Sequence, residues 1–185
     1  GCSSMVTGSF TPGPVTGTQA SITVDPGAAA TLTVSGFPSP SVAGVGSTVT
    51  VTAKDAFGNT ATGYAGTVAI TSSDGAAVLP ADNTLVSGTR TFAVTLRTAG
   101  TQSITATGPG PVNGSQSAIS VNPAAAASLV VSAASPQTAG TPFSVTVTAK
   151  DAFGNTATGY AGTVTFTSTD GAATLPADST LTAGT

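Results

Sequence analysis

The sequence predicts an all-β protein of tandem antiparallel β-sandwiches, with repeats of about 97 residues. Three observations lead there: an internal repeat, apolar residues alternating with polar ones at a period of two, and turn residues spaced as a sandwich requires.

The repeat comes first, because a missed repeat misassigns the whole fold. Residues 49–68 read VTVTAKDAFGNTATGYAGTV and return unchanged at 145–164, a spacing of 96. TSSDGAAVLPAD at 71–82 is answered by TSTDGAATLPAD at 167–178. VTGTQASITVDP at 15–26 is answered by VNGSQSAISVNP at 112–123, here with a spacing of 97. The second copy therefore lacks one residue between strands. Residues 26–122 are expected to form one complete domain, close to the ~100 residues of a seven-stranded sandwich. Residues 123–185 form an incomplete copy that stops at the counterpart of Thr89 and lacks whatever matches 90–122. Residues 1–25 read as the closing strand or strands of a preceding or neighbouring repeat.

Within the complete copy each strand shows alternation. Leu32 and Val34 alternate with Thr, and Val49, Val51 and Ala53 alternate with Thr50, Thr52 and Lys54. Phe92, Val94 and Leu96 follow the same rule, then Ile104 and Ala106, then Ile119 and Val121. Such a pattern marks strands with one buried face. The expected core is Leu32, Val34, Val49, Val51, Phe92, Val94, Leu96 and Ile104. Phe-Gly-Asn, Asp-Gly, Ala-Gly and Pro-Gly-Pro turns separate the strands, and no segment carries a helical period.

Composition fits a surface built from hydroxyls and amides. Only 6% of the 185 residues are charged, against roughly 25% in ordinary globular chains. His, Glu and Trp are absent, and all seven acids are Asp. A net charge of −3 with four scattered cations, Lys54, Arg90, Arg97 and Lys150, excludes a phosphate-binding surface and hence nucleic acid as a partner. No apolar run approaches the ~18 residues that cross a bilayer. Cys2 is the sole cysteine, so an internal disulfide is impossible. It fits three readings: an engineered remnant, an intermolecular thiol, or the lipidated end of a Gly-Cys-Ser-Ser lipoprotein box, the one route by which this chain would meet a membrane.

The VTVTAKDAFGNTATGYAGTV and SSDGAA…LPAD blocks resemble the bacterial immunoglobulin-like tandem repeats of large surface proteins, in the style of invasin and intimin stalk domains. The resemblance covers nearly all of the chain after about Val15. It implies an immunoglobulin-like, extracellular, cell-surface sandwich without the antibody-type disulfide and Trp. Such repeats serve as stalks, spacers, adhesins and filament subunits.

Four constellations invite chemistry. Asp55 and Asn59 flank Ala-Phe-Gly, as do Asp151 and Asn155. Asx side chains cap nearby backbone N–H groups, and Gly58 and Gly154 allow positive φ, so both loops read as structural staples. The alternative is a calcium site combining Asp55 with Asp74 or Asp82, although no D-x-D-x-D-G loop is present. Lys54 and Lys150 raise the prospect of a Lys–Asn cross-link, which needs a buried lysine with a depressed pKa; alternation instead turns Lys54 to water with Thr50 and Thr52. Phe57, Phe153, Tyr64 and Tyr160 are either a sugar-stacking platform or plugs at the sandwich end. Asn113-Gly-Ser115 matches a glycosylation sequon, a match that chance supplies readily in so Ser-rich a chain.

Without His, Glu or an activated cysteine, the usual acid–base and nucleophilic partners are missing, so a non-enzyme without cofactors is expected. Two functions remain: a stalk, spacer or filament subunit, or an adhesin module binding a glycan or host protein through its loops. The expected partners are copies of itself or adjacent repeats. In the filament version, Gln19, Ile22 and Val24 form a donor strand that completes the 123–185 half-domain of another chain.

Overall fold

The structure, a computed structural model, describes residues 23–185. Cys2, Gln19 and Ile22 lie outside the described residues. Val24, the described member of the expected donor strand, is in no strand and is 85% exposed.

The first copy is an all-β sandwich of two sheets, immunoglobulin-like in architecture. One sheet has three strands in the order β1 (Thr31–Ser35), β3 (Gly46–Lys54) and β6 (Thr89–Thr95). The other has five, in the order β2 (Ser41–Val42), β8 (Asn113–Asn122), β7 (Gly100–Thr107), β4 (Thr67–Ser72) and β5 (Asn83–Thr84). All pairings are antiparallel except the two-residue β2, which runs parallel to β8 through Ser41↔Val121 and Val42↔Asn122. With β2 and β5, the copy has eight strands rather than seven. Both β2 and β5 are two residues long, too short to show a period.

Alternation predicts the register well. Leu32 faces Ala53 and Val34 faces Val51 across β1–β3, while Val49 faces Phe92 across β3–β6. All eight expected core residues are buried, joined by Phe37, Val68, Ile70, Leu85, Val112, Ile119 and Val121 among others. Each fully buried side chain of this kind stabilises by about 1.5–3 kcal/mol. The β7–β8 ladder slips between Gln102 and Ile104, opposite Ala118 at φ 57°. That bulge restores the inward direction of Ile119 and Val121. Between β5 and β6 the chain turns at Ser87 and Gly88, both at positive φ, as the two-residue loop joining the bridged Val86 and Thr89 requires. A Cβ on Gly88 would strike the backbone of Ala61, so the turn admits no side chain there.

The second copy repeats only the early strands: β9 (Ser128–Ala133) on β10 (Val145–Lys150), and β11 (Thr163–Val164) on β12 (Ser179–Thr180). Its small core is Val147, Ala149, Ala157, Val164 and Leu181, with Ala126, Tyr160 and Phe166 against it. Leu129, Val131 and Val145 are exposed, although their counterparts Leu32, Val34 and Val49 are buried. The residues that cover those positions in the first copy lie in β6 to β8.

Candidate functional site

Each Asp-Ala-Phe-Gly-Asn loop follows a long strand, β3 or β10, whose end presents the aspartate. Asp55 uses all its lone pairs. Its Oδ1 accepts the amides of Phe57 and Asn59 at 2.9 and 2.8 Å. Its Oδ2 accepts the Gly27 amide at 2.9 Å and Asn59 Nδ2 at 3.1 Å. Asp151 repeats this, taking Phe153 N, Asn155 N, Ala124 N and Asn155 Nδ2 at 2.8–3.0 Å. Gly58 and Gly154 sit at φ +85° and +87°, which lets the chain double back onto the carboxylate. The staple reading therefore describes both loops. A further role comes with it: Gly27 and Ala124 each follow the proline that opens a copy, so the same carboxylate also clamps the incoming linker.

Hydrogen bonding sets the charge state. Donation from Gly27, working against desolvation and joined by Asn59 and Phe57, lowers the Asp55 pKa to about 2. At Asp151 burial pushes the pKa upward, but the Asn155 side chain and the Ala124, Phe153 and Asn155 amides outweigh it and hold the group below the usual range.

The other buried carboxylate, Asp74, was weighed from sequence only as a metal ligand. The structure makes it a second staple. Its Oδ2 accepts the amides of Arg97 and Thr98 at 2.6 and 2.9 Å, and its Oδ1 accepts the Ala76 amide and the Thr98 hydroxyl at 2.9 and 2.6 Å. Burial raises its pKa, and the Thr98 and neighbouring donors lower it further than burial raises it. Asp82 is exposed, and the described residues contain no cluster of three His, Cys, Asp or Glu side chains placed to hold a metal. Asp55, Asp74 and Asp82 are thus not brought together. Donors already fill the Asp55 and Asp74 carboxylates.

Lys54 and Lys150 donate to the hydroxyls of Thr60 and Thr156, each at 3.1 Å. Asn113 stands exposed at the start of β8, its side chain on the Pro111 carbonyl. The aromatics divide. Tyr64 plugs the sandwich end, its ring so close to Gly66 and Gly108 that a Cβ on either would overlap it, and burial raises its pKa. Tyr160 packs likewise against Gly162. Phe57 does not plug anything: it is 89% exposed, because the tight Phe-Gly-Asn turn throws it outward. Of the two alternatives for the four aromatics, the plug does not describe Phe57.

Phe153, the same residue in the second copy, is only 41% exposed, because it is docked on the first copy. Its ring lies against Gly44, where a Cβ would overlap it, and the Arg97 guanidinium stands 5.6 Å from its centroid. Beside it the Asn155 carboxamide spans the junction. Nδ2 donates to the Arg97 carbonyl at 2.8 Å, and Oδ1 accepts the Ala99 amide at 2.9 Å. One five-residue loop thus holds its own turn, the linker and the end of the neighbouring repeat. The sequence hid this joint, because Arg97 and Asn155 are 58 residues apart.

Fold and joint together describe an immunoglobulin-like β-sandwich in tandem repeat. Solved structures similar to the chain include domains 4 and 5 of the S-layer protein SbsC, at 24% identity over 53% of each chain, TM-score 0.40. A fragment holding SbsC domains 5–6 aligns at 22% identity over 70% of this chain and 65% of its own length, TM-score 0.40. FdeC, an Escherichia coli adhesin, aligns at 25% identity over 76% of this chain and 47% of its own, TM-score 0.47. The chain spans about half the length of the first SbsC fragment. No protein-family model and no curated protein matches it.

Proposed function

We propose that the chain is a non-catalytic structural module of an extracellular, cell-surface repeat array, a stalk or spacer whose repeats are locked end to end. The observation that carries this reading is the Asn155 carboxamide bonded to both Arg97 and Ala99 of the preceding repeat while Asp151 clamps the linker. A freely jointed chain has no use for a side chain that satisfies two backbone groups across the junction. Near-identity of the repeated loops supports the same reading, since recognition loops diversify between copies.

The test is a pair of measurements on the 185-residue chain. A stalk gives scattering from an elongated particle two repeats long and no saturable binding on glycan and host-protein arrays. Specific binding lost on Phe57→Ala would favour the adhesin reading instead, with the exposed Phe57 loop as its contact.

A second reading has its own observation: the exposed Leu129, Val131 and Val145 of the second copy. The open outer edges of the β9–β10 pair, with so few charges, invite pairing with another strand. Residues 15–25, whose sequence matches 112–122 and so the whole of β8, are suited to supply one from another chain, and a head-to-tail contact of that kind grows into a filament. Deletion of residues 1–25 decides it: assembly that persists unchanged in the shortened chain refutes strand donation.

A further inference from the structure

The two copies carry the same loop, yet among the described residues only the second copy's loop is docked. Asn155 is filled by its own Asp151 and by Arg97 and Ala99. Asn59 has the Asp55 half of that set, and among the described residues its Oδ1 meets no donor. Phe57 stands 89% exposed where Phe153 is 41%. The linker half is complete in both copies, with Gly27 on Asp55 as Ala124 is on Asp151. The sequence leading into Pro26, VTGTQASITVDP, is also the sequence type that leads into Pro123.

We propose that the Phe57–Asn59 face is a docking site for the distal end of another copy of this repeat, built from that copy's equivalents of Gly44, Arg97 and Ala99. The occupant is fixed by the chemistry already seated in this structure. The Phe ring needs a glycine whose missing Cβ makes room and a guanidinium over its face. The Asn carboxamide needs one carbonyl and one amide two residues apart in sequence. The end of the first copy offers all four, and a clamped linker of the same length delivers them to the same place. This inference rests on the reading of the chain as an array module and adds which surface takes the next repeat.

The test extends the full chain by one more copy of residues 26–122 placed directly before Pro26, so that Asn122 meets Pro26 as it now meets Pro123. Backbone amide exchange is then followed at Ala99 in both the added and the original copy. Docking predicts that both amides are protected, since each meets an Asn Oδ1. Phe57→Ala in the original copy, a change to an exposed side chain that leaves its own fold intact, is expected to speed exchange at the added copy's Ala99 about fivefold or more, the factor carried by one hydrogen bond of ordinary net strength. Asn59→Ala should do the same, while the original Ala99 stays protected by Asn155 in both variants. An added-copy Ala99 that exchanges as an unpartnered amide, or one whose protection ignores both substitutions, overturns the docking site. The array reading fails separately, through compact scattering or ligand binding by the 185-residue chain.

Discussion

Replacing Asp74 by Asn tests whether the buried carboxylate holds the sandwich end. Asp74 accepts four hydrogen bonds, from the amides of Ala76, Arg97 and Thr98 and the Thr98 hydroxyl. An amide keeps one oxygen. Directed at Arg97 and Thr98, that oxygen leaves the new NH2 facing the Ala76 N–H, while the Thr98 hydroxyl can reverse and accept. The Ala76 bond is then lost, at about 2 kcal/mol for a bond to a charged acceptor, and the two amide bonds fall from charged to neutral strength, at about 1 kcal/mol each. The sum, about 4 kcal/mol by those values, is a large part of the roughly 5–15 kcal/mol that holds a domain together. Asp170 supplies the control. It occupies the same S-x-D-G-A-A motif in the second copy, but it is exposed and among the described residues its carboxylate accepts only the Ala172 amide, at 2.9 Å. Asp170→Asn should therefore be nearly silent. Equilibrium urea unfolding, with the midpoint read by far-ultraviolet circular dichroism, compares both with the parent. An Asp74→Asn chain within about 1 kcal/mol of the parent, or an Asp170→Asn chain equally destabilised, refutes the staple.

Three further outcomes follow. Phe92→Ala empties a side chain that is 3% exposed and should cost roughly 3–5 kcal/mol in the same urea assay, so an unchanged midpoint refutes the β3–β6 register. Asp55, Asp74 and Asp151 all have lowered pKa values in the fold, so their contribution is complete above the ordinary carboxylate pKa near 3.8 and is lost as pH falls below it, for Asp55 toward about 2. Thermal melts should hold steady from pH 7 to about 5 and fall steeply below about 4, whereas a fall beginning near neutrality contradicts the assignment. Calcium titration should leave the melting temperature unchanged, and a rise of several degrees that chelator reverses would show that the Asp carboxylates take up metal.

What the sequence reveals and what it conceals divides by distance along the chain. β1, β3, β6, β7 and β8 are long enough for alternation to mark their inner face, so Leu32, Val51, Phe92 and Ile104 could be placed before the structure. β2 and β5 have two residues each and no period to read. The Asp55 staple was legible because its loop partners lie two and four residues away. Asp74 hid its role because Arg97 and Thr98 are 23 and 24 residues away, brought beside it only when β6 crosses the sandwich. Phe57 was left between plug and platform for a related reason. Aromatics at loop bases usually cap a core, and here Tyr64 takes that place, which leaves Phe57 on the outside of a glycine turn. The joint at Asn155 required knowing where the linker delivers the second copy.

The most direct measurement of the locked joint is the distance distribution between two spin labels, one in each repeat. Labels at Thr107→Cys in β7 and Thr158→Cys beyond the second loop, in a Cys2→Ser chain, report on it by pulsed electron paramagnetic resonance. Bonds from Asn155 to Arg97 and Ala99, with Phe153 seated on Gly44, predict a single narrow distribution that broadens on Asn155→Ala. A parent distribution already broad, or one that Asn155→Ala leaves narrow, would contradict the account.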